Sequence, residues 1–236
     1  MIDDRAIERT GGGFLLLMVA AFAVSIATFV QFDVDRLEIR ASLDAVNADQ
    51  EMYAASWFGT LIGGLLLTPT AGALYLVFRL HDRALALWGL TGLLTASVAF
   101  VTATGAFFAI YFLADDFALA SGQHADSIAS VARALGFAGY TAWAGGTTLV
   151  GTGVLSIGLL MVRDGRMPTP LGLWAMAGGA TMLLGWSVVT PLPESLDDLR
   201  RYGYYVTVGG ATGTLTFFVA LAAWLLVKGA PTSRIR

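Results

Sequence analysis

The chain has 236 residues, 56% of them hydrophobic and only 13% charged, with a formal net charge of −3. A soluble domain has about a quarter of its residues charged, so this chain lacks the polar side chains to cover a water-facing surface. Its basic residues are scattered, which gives no footprint for nucleic acid, and with no cysteine it can form no disulfide, thiolate metal site, iron–sulfur cluster or thiol nucleophile.

Six apolar stretches lie between Gly11 and Val227, and none has an ionisable side chain in its middle. At about 20 residues per bilayer crossing they predict an all-α fold, a compact bundle of six transmembrane helices. The spans fall at about 12–32, 57–78, 84–113, 134–162, 170–190 and 202–227, in a single integral membrane domain over residues 1–236.

The first stretch is longer than the apolar core of about 7 to 15 residues in a signal peptide, so a retained helix is expected. An acidic segment from Asp33 to Ser56 follows, in which Val34, Leu37, Ala41 and Ala45 recur at helical spacing. That spacing predicts a short interfacial helix. The second and third spans are joined only by Arg79-Leu80-His81-Asp82-Arg83, which makes them antiparallel neighbours. The third span is long enough to project beyond a hydrocarbon core of about 30 Å. Asp115, Asp116 and Asp126 mark a second acidic loop, with Asp126 and Ser127 as expected N-caps of the fourth span. Arg163-Asp164-Gly165-Arg166-Met167-Pro168 turns the chain into the fifth, and Pro191-Leu192-Pro193 stops it. Ser195 and Asp198 have capping-box spacing before the last helix, which ends at Lys228-Gly229-Ala230-Pro231.

With the N-terminus cytoplasmic, nine basic residues fall inside (Arg5, Arg9, Arg79, Arg83, Arg163, Arg166, Lys228, Arg234 and Arg236). Arg36, Arg40, Arg133, Arg200 and Arg201 fall outside, so the positive-inside rule places both termini in the cytoplasm. Tyr53, Trp57, Tyr111, Trp186, Tyr202, Tyr204 and Tyr205 then lie near the outer interface, and Tyr75, Trp88, Trp174 and Trp224 near the inner one. The segment from Phe78 through Gly92 is echoed from Val162 through Gly178, as a duplicated hairpin or as two unrelated basic turns. The preference for Arg over Lys and the abundance of Gly and Ala suggest a GC-rich prokaryote.

Little in the spans offers chemistry. His81 and His124 lie in loops, not facing one another inside the bundle as haem ligands must. The one lysine, Lys228, sits at the end of the last span, which excludes an intramembrane Schiff base. No intramembrane base accompanies the Ser and Thr hydroxyls, so no nucleophile is predicted. No cofactor and no metal are expected. Thr68-Pro69-Thr70 is the most specific intramembrane feature: Pro69 cannot donate to the Leu65 carbonyl, which predicts a kink and a candidate ligand pocket. Thr141, Thr147, Thr148, Thr152 and Ser156, with Gly145, Gly146, Gly151, Gly153 and Gly158, crowd the fourth span. These line a polar cavity or let helices approach closely. Gly59/Gly63 and Gly209/Gly213 have GxxxG spacing and form a candidate packing face. Outside, Asp33/Asp35/Glu38, Asp115/Asp116 and Glu194/Asp197/Asp198 form either a cation site or a solvated surface paired to nearby arginines.

The run Ala73-Leu74-Tyr75-Leu76-Val77-Phe78-Arg79-Leu80-His81-Asp82-Arg83-Ala84-Leu85-Ala86-Leu87 resembles the second-to-third helix junction of the DUF4386 family, small bacterial integral membrane proteins of unknown function. Arg163 through Gly172 with Leu173-Trp174 is similar to that family's fourth-to-fifth junction, and Ala223-Trp224-Leu225-Leu226-Val227-Lys228-Gly229 to its closing helix. The resemblance implies a six-helix fold and no known activity or site residues.

The expected function is that of a non-catalytic multi-pass protein of a prokaryotic plasma membrane, a subunit or interaction protein. It would engage lipids, a second copy or a partner membrane protein through its Gly/Thr-rich faces. The alternative is a small transporter or channel for an uncharged or weakly polar solute, with the Pro69 kink beside the pathway. A lipid-modifying enzyme at the interface ranks behind both.

Overall fold

The computed structural model describes residues 4–29, 38–164, 167–185 and 197–227. They form seven helices: α1 (Asp4–Phe29), α2 (Ile39–Ala48), α3 (Gln50–Phe78), α4 (Arg83–Leu119), α5 (Gly122–Asp164), α6 (Thr169–Leu184) and α7 (Asp197–Val227). Five of them are long and apolar enough to cross a membrane, in α1, α3, α4, α5 and α7. The protein is a helical membrane bundle.

Six spans are expected, and among the described residues five helices are long and apolar enough to cross, with the last residues of the fifth expected span, 186–190, outside the described residues. Of the fifth predicted span, the described residues give only the 16-residue helix α6, about 24 Å long against a core of about 30 Å. Its expected end, with Pro191 to Pro193 and the Ser195–Asp198 cap, lies outside the described residues or on side chains not described. Other helices start earlier or end later than their apolar stretches. α4 runs on through Asp115 and Asp116 to Leu119, and α5 begins at Gly122. A helix satisfies its own backbone in water as in lipid, so it need not stop where hydropathy falls.

The ends that are visible have specific causes. The Asp82 carboxylate accepts from the N–H groups of Ala84 and Leu85 at 3.0 and 3.1 Å, which caps α4. Gly122, at φ 58°, takes the left-handed conformation that opens α5 directly after α4. Asp126 and Ser127 are therefore not N-caps. Both lie inside α5, where the Ser127 hydroxyl donates to the Gln123 carbonyl.

Packing divides the chain into two compact units. One comprises Met1–Val19, Leu66–Ser97 and Gly145–Arg236. Its helices meet at glycines, since small residues let backbones approach closely. A Cβ built on Gly151 would stand 2.7 Å from the Gly179 carbonyl oxygen, and one on Gly158 2.7 Å from that of Gly172, so α5 and α6 touch backbone to backbone. Gly92 meets Gly153 between α4 and α5, and Gly178 meets Thr214 between α6 and α7.

The other unit comprises Ala20–Leu65 and Val98–Ala144. Here α1 and α3 are joined by hydroxyls: Ser25 Oγ and Thr60 Oγ1 are 2.6 Å apart, and the Ser56 hydroxyl donates to the Ser25 carbonyl at 3.3 Å. Trp57 and Phe107 stack with ring centroids 3.7 Å apart. The Tyr53 hydroxyl donates to the Phe107 carbonyl at 3.2 Å.

Candidate functional site

The same unit carries α2, and α2 builds one wall of a cleft with the dimensions of a ligand site. Its buried positions are Ile39, Ser42, Leu43 and Val46, the i, i+3, i+4, i+7 set that puts four side chains on one face. The expected short helix is present, and its buried face does not include Ala41 and Ala45, which are exposed, while Val34 and Leu37 lie outside the described residues. Ile39, Leu43 and Val46 join Tyr53, Trp57 and Phe107 in one buried cluster. Asp49 ends α2 and starts α3. Its backbone N–H donates to the Ala45 carbonyl, and its carboxylate accepts from the Met52 N–H at 3.2 Å.

Polar contacts lie near the start of α2 and just past its end, at the first residue of α3. Arg40 pairs with Asp126 of α5, and the Gln50 amide donates to Asp115 of α4. Between α2 and α5 lies a cleft of about 450 Å³. Glu38, Arg40, Asp126 and Arg133 supply its charges, Ser130 a hydroxyl, and Ile39 and Ala129 an apolar floor. The Arg40 and Asp126 side chains are 59% and 61% exposed, so the cleft opens to solvent.

The position of the cleft along α5 is set by arithmetic. No charged residue lies between Arg133 and Arg163. Those thirty residues rise about 45 Å at 1.5 Å each, the thickness of a bilayer of about 40–45 Å including its headgroups. Arg133 thus stands at one end of an uncharged stretch of α5 as long as a bilayer is thick, and it lines the cleft.

The residues singled out in the sequence fall elsewhere. Pro69 lies inside α3, which continues through it to Phe78. Thr68 Oγ1 and Ser97 Oγ are 3.1 Å apart, and Thr70 is fully buried with its hydroxyl lacking a hydrogen-bond partner among the described residues. Neither the cleft nor a small apolar void lined by Leu74, Phe78 and Leu93 is walled by Thr68, Pro69 or Thr70. Gly59 and Gly63 face α1 of their own chain: Cβ atoms there would lie 2.8 Å from the Ala21 carbonyl oxygen and 2.9 Å from the Phe22 ring. Gly209 has open space, and Gly213 only the Trp174 indole nitrogen at 3.7 Å.

In the fourth span the hydroxyls of Thr141, Thr152 and Ser156 donate to carbonyls four residues back. Gly151, Gly153 and Gly158 meet neighbouring helices. Among the described residues no three carboxylates or histidines gather as a metal site. Asp115 and Asp126 are engaged by Gln50 and Arg40, Asp33, Asp35 and Glu194 lie outside the described residues, and the side chains of Asp197 and Asp198 are not described. Sequence reasoning missed the cleft, which depends on α2 folding back on α5, and missed Glu8, a carboxylate only 5% exposed in α1. Glu8 has no sequence signal beyond its helical spacing from buried Gly11 and Gly12.

The family profile described as Domain of unknown function (DUF4386) matches residues 10–229. The chain belongs to the DUF4386 family. The match covers α1 from Thr10 and the whole of α2 to α7, the cleft included. No curated protein and no solved structure matches this DUF4386 chain. The family description carries no activity to set beside the cleft, so function is argued from the chain's own residues.

Proposed function

We propose that this DUF4386 protein is a non-catalytic, multi-pass protein of a prokaryotic plasma membrane that works by holding a membrane lipid. Both termini are cytoplasmic in this reading, as the basic bias of the turns requires. One observation carries it: the cleft of about 450 Å³ between α2 and α5 has charged walls and an apolar floor, and Arg133 in its wall ends the uncharged stretch of α5. Sites that take a lipid from its bilayer need both, a polar end for the headgroup and contact for the first apolar atoms. Native mass spectrometry of the protein released gently from its own membrane tests it. A discrete adduct of lipid mass is expected, lost on Arg40→Gln with Arg133→Gln. The bare chain alone would count against the reading.

A second reading, self-assembly, is favoured by the open surface at Gly209. There Gly209→Leu is expected to shift the oligomer distribution, and a wild-type chain that is already monomeric would remove it. The solute-route alternative draws less support, because Thr68 is bonded to Ser97 and neither cavity reaches Pro69.

A further inference from the structure

The identity of the headgroup follows from the charges the cleft leaves uncommitted. Four charged side chains line it, and two of them, Arg40 and Asp126, neutralise one another. Glu38 stands at the N-cap position of α2, yet its side chain makes no capping bond. Neither Glu38 nor Arg133 forms an ion pair or side-chain hydrogen bond with any described residue. One carboxylate and one guanidinium therefore face a common cavity with their charges available. The Ser130 hydroxyl donates to the Asp126 carbonyl at 2.9 Å, so towards a ligand it acts only as an acceptor.

That arrangement matches a small zwitterion. We propose that the cleft holds a phosphoethanolamine group. Arg133 donates N–H bonds to the phosphate, and Glu38 accepts from the primary ammonium. The assignment rests on the lipid-holding reading above and gives that reading its ligand class.

Two competing headgroups fit less well. A purely anionic headgroup leaves Glu38 facing a like charge, which repels within a few ångströms. A quaternary ammonium has no N–H for Glu38 to accept, and none of the residues lining the cleft is aromatic, as a choline cage requires. The phosphoethanolamine could arrive on a diacyl lipid or as the free compound. The recognising chemistry is the same.

The full-length protein is to be offered an equimolar mixture of phosphatidylethanolamine, phosphatidylcholine and phosphatidylglycerol with identical acyl chains, and retained lipid read by native mass spectrometry. A charge-assisted hydrogen bond contributes enough to change affinity about tenfold or more, so phosphatidylethanolamine is expected in about tenfold excess over the choline lipid. Glu38→Gln is expected to abolish that excess while lipid is still retained. Arg133→Gln is expected to weaken retention of all three. Both side chains are exposed, and an unchanged melting temperature will show that the variants fold. Release of bound lipid by millimolar free O-phosphoethanolamine would name the soluble compound as a ligand, and its failure to release would assign the lipid. Equal retention of the three lipids by wild type and Glu38→Gln overturns the headgroup assignment and leaves lipid binding standing. Retention of no lipid by the wild type overturns the function from which the assignment starts.

Discussion

Gly151 and Gly179 face one another across α5 and α6 with no room for a methyl group on either. A Cβ on Gly179 would lie 2.5 Å from the Gly151 carbonyl oxygen, and one on Gly151 2.7 Å from that of Gly179. Both obstacles are backbone atoms, which cannot swing aside as a side-chain end can. Gly179→Ala is therefore expected to destabilise by about 1–3 kcal/mol, the usual range for overpacking. Gly209→Ala, in open space, should leave stability nearly unchanged. Thermal unfolding of the two variants in the same detergent compares them, and equal midpoints would contradict the backbone contact.

Thr70 presents the opposite case, a polar group whose removal should help. Its side chain is fully buried and its hydroxyl has no partner among the described residues. A buried hydroxyl without a hydrogen bond costs about 1–3 kcal/mol by mutational measures. Thr70→Val keeps the shape and removes the burden, so an unchanged or raised melting temperature is expected. A clear drop would reveal a partner for the hydroxyl, such as a bound ligand.

How far the fold was legible in the sequence depends on what the bilayer forces. A lipid-facing backbone must be helical, so the apolar stretches from Gly12 to Phe32 and from Trp57 to Phe78 announced α1 and α3 directly. The ends of helices carry no such compulsion. Asp115 and Asp126 resemble loop residues by composition, but Gly122 lets α5 start so soon after α4 that both aspartates remain helical. The interfacial helix was visible as an amphipathic segment, while its buried face was not, because Ala41 and Ala45 are apolar and yet exposed. The cleft was not legible. Glu38 and Arg133 are about a hundred residues apart, and only the fold-back of α2 on α5 makes them neighbours of one cavity.

The aromatic stack under α2 should dominate the stability of its unit. Phe107 stacks on Trp57, and its carbonyl receives the Tyr53 hydroxyl. Phe107→Ala is expected to cost about 3–5 kcal/mol, as aromatic truncations in cores do. Tyr53→Phe loses the hydroxyl's bond to the Phe107 carbonyl and its contact with Trp57, and should cost about 1–2 kcal/mol. Denaturant unfolding of the two variants would show this ordering, and a reversed ordering would place the weight on the polar tip.

The Arg40–Asp126 pair is expected to matter little for stability despite joining α2 to α5. Both side chains are more than half exposed, and surface pairs contribute at most about 1 kcal/mol, less in salt. Asp126→Asn should therefore shift the melting temperature slightly at low ionic strength and not at all in about 1 M salt, where charges are screened within about 3 Å. A large loss at both salt concentrations would show that the pair anchors α2.

If the cleft holds a lipid as proposed, the thirty-residue step of α5 from Arg133 to Arg163, with no charge between them, makes this helix a gauge of bilayer thickness, since it rises about 45 Å. In a bilayer that matches this length, the cleft meets the lipid phosphates. Where the membrane is thinner, α5 must tilt or stand proud of the surface, at a modest energy for each ångström of mismatch. A protein standing proud lifts the cleft away from the headgroups, so its occupancy would follow the acyl-chain length of the surrounding lipid as well as the chemistry of its headgroup.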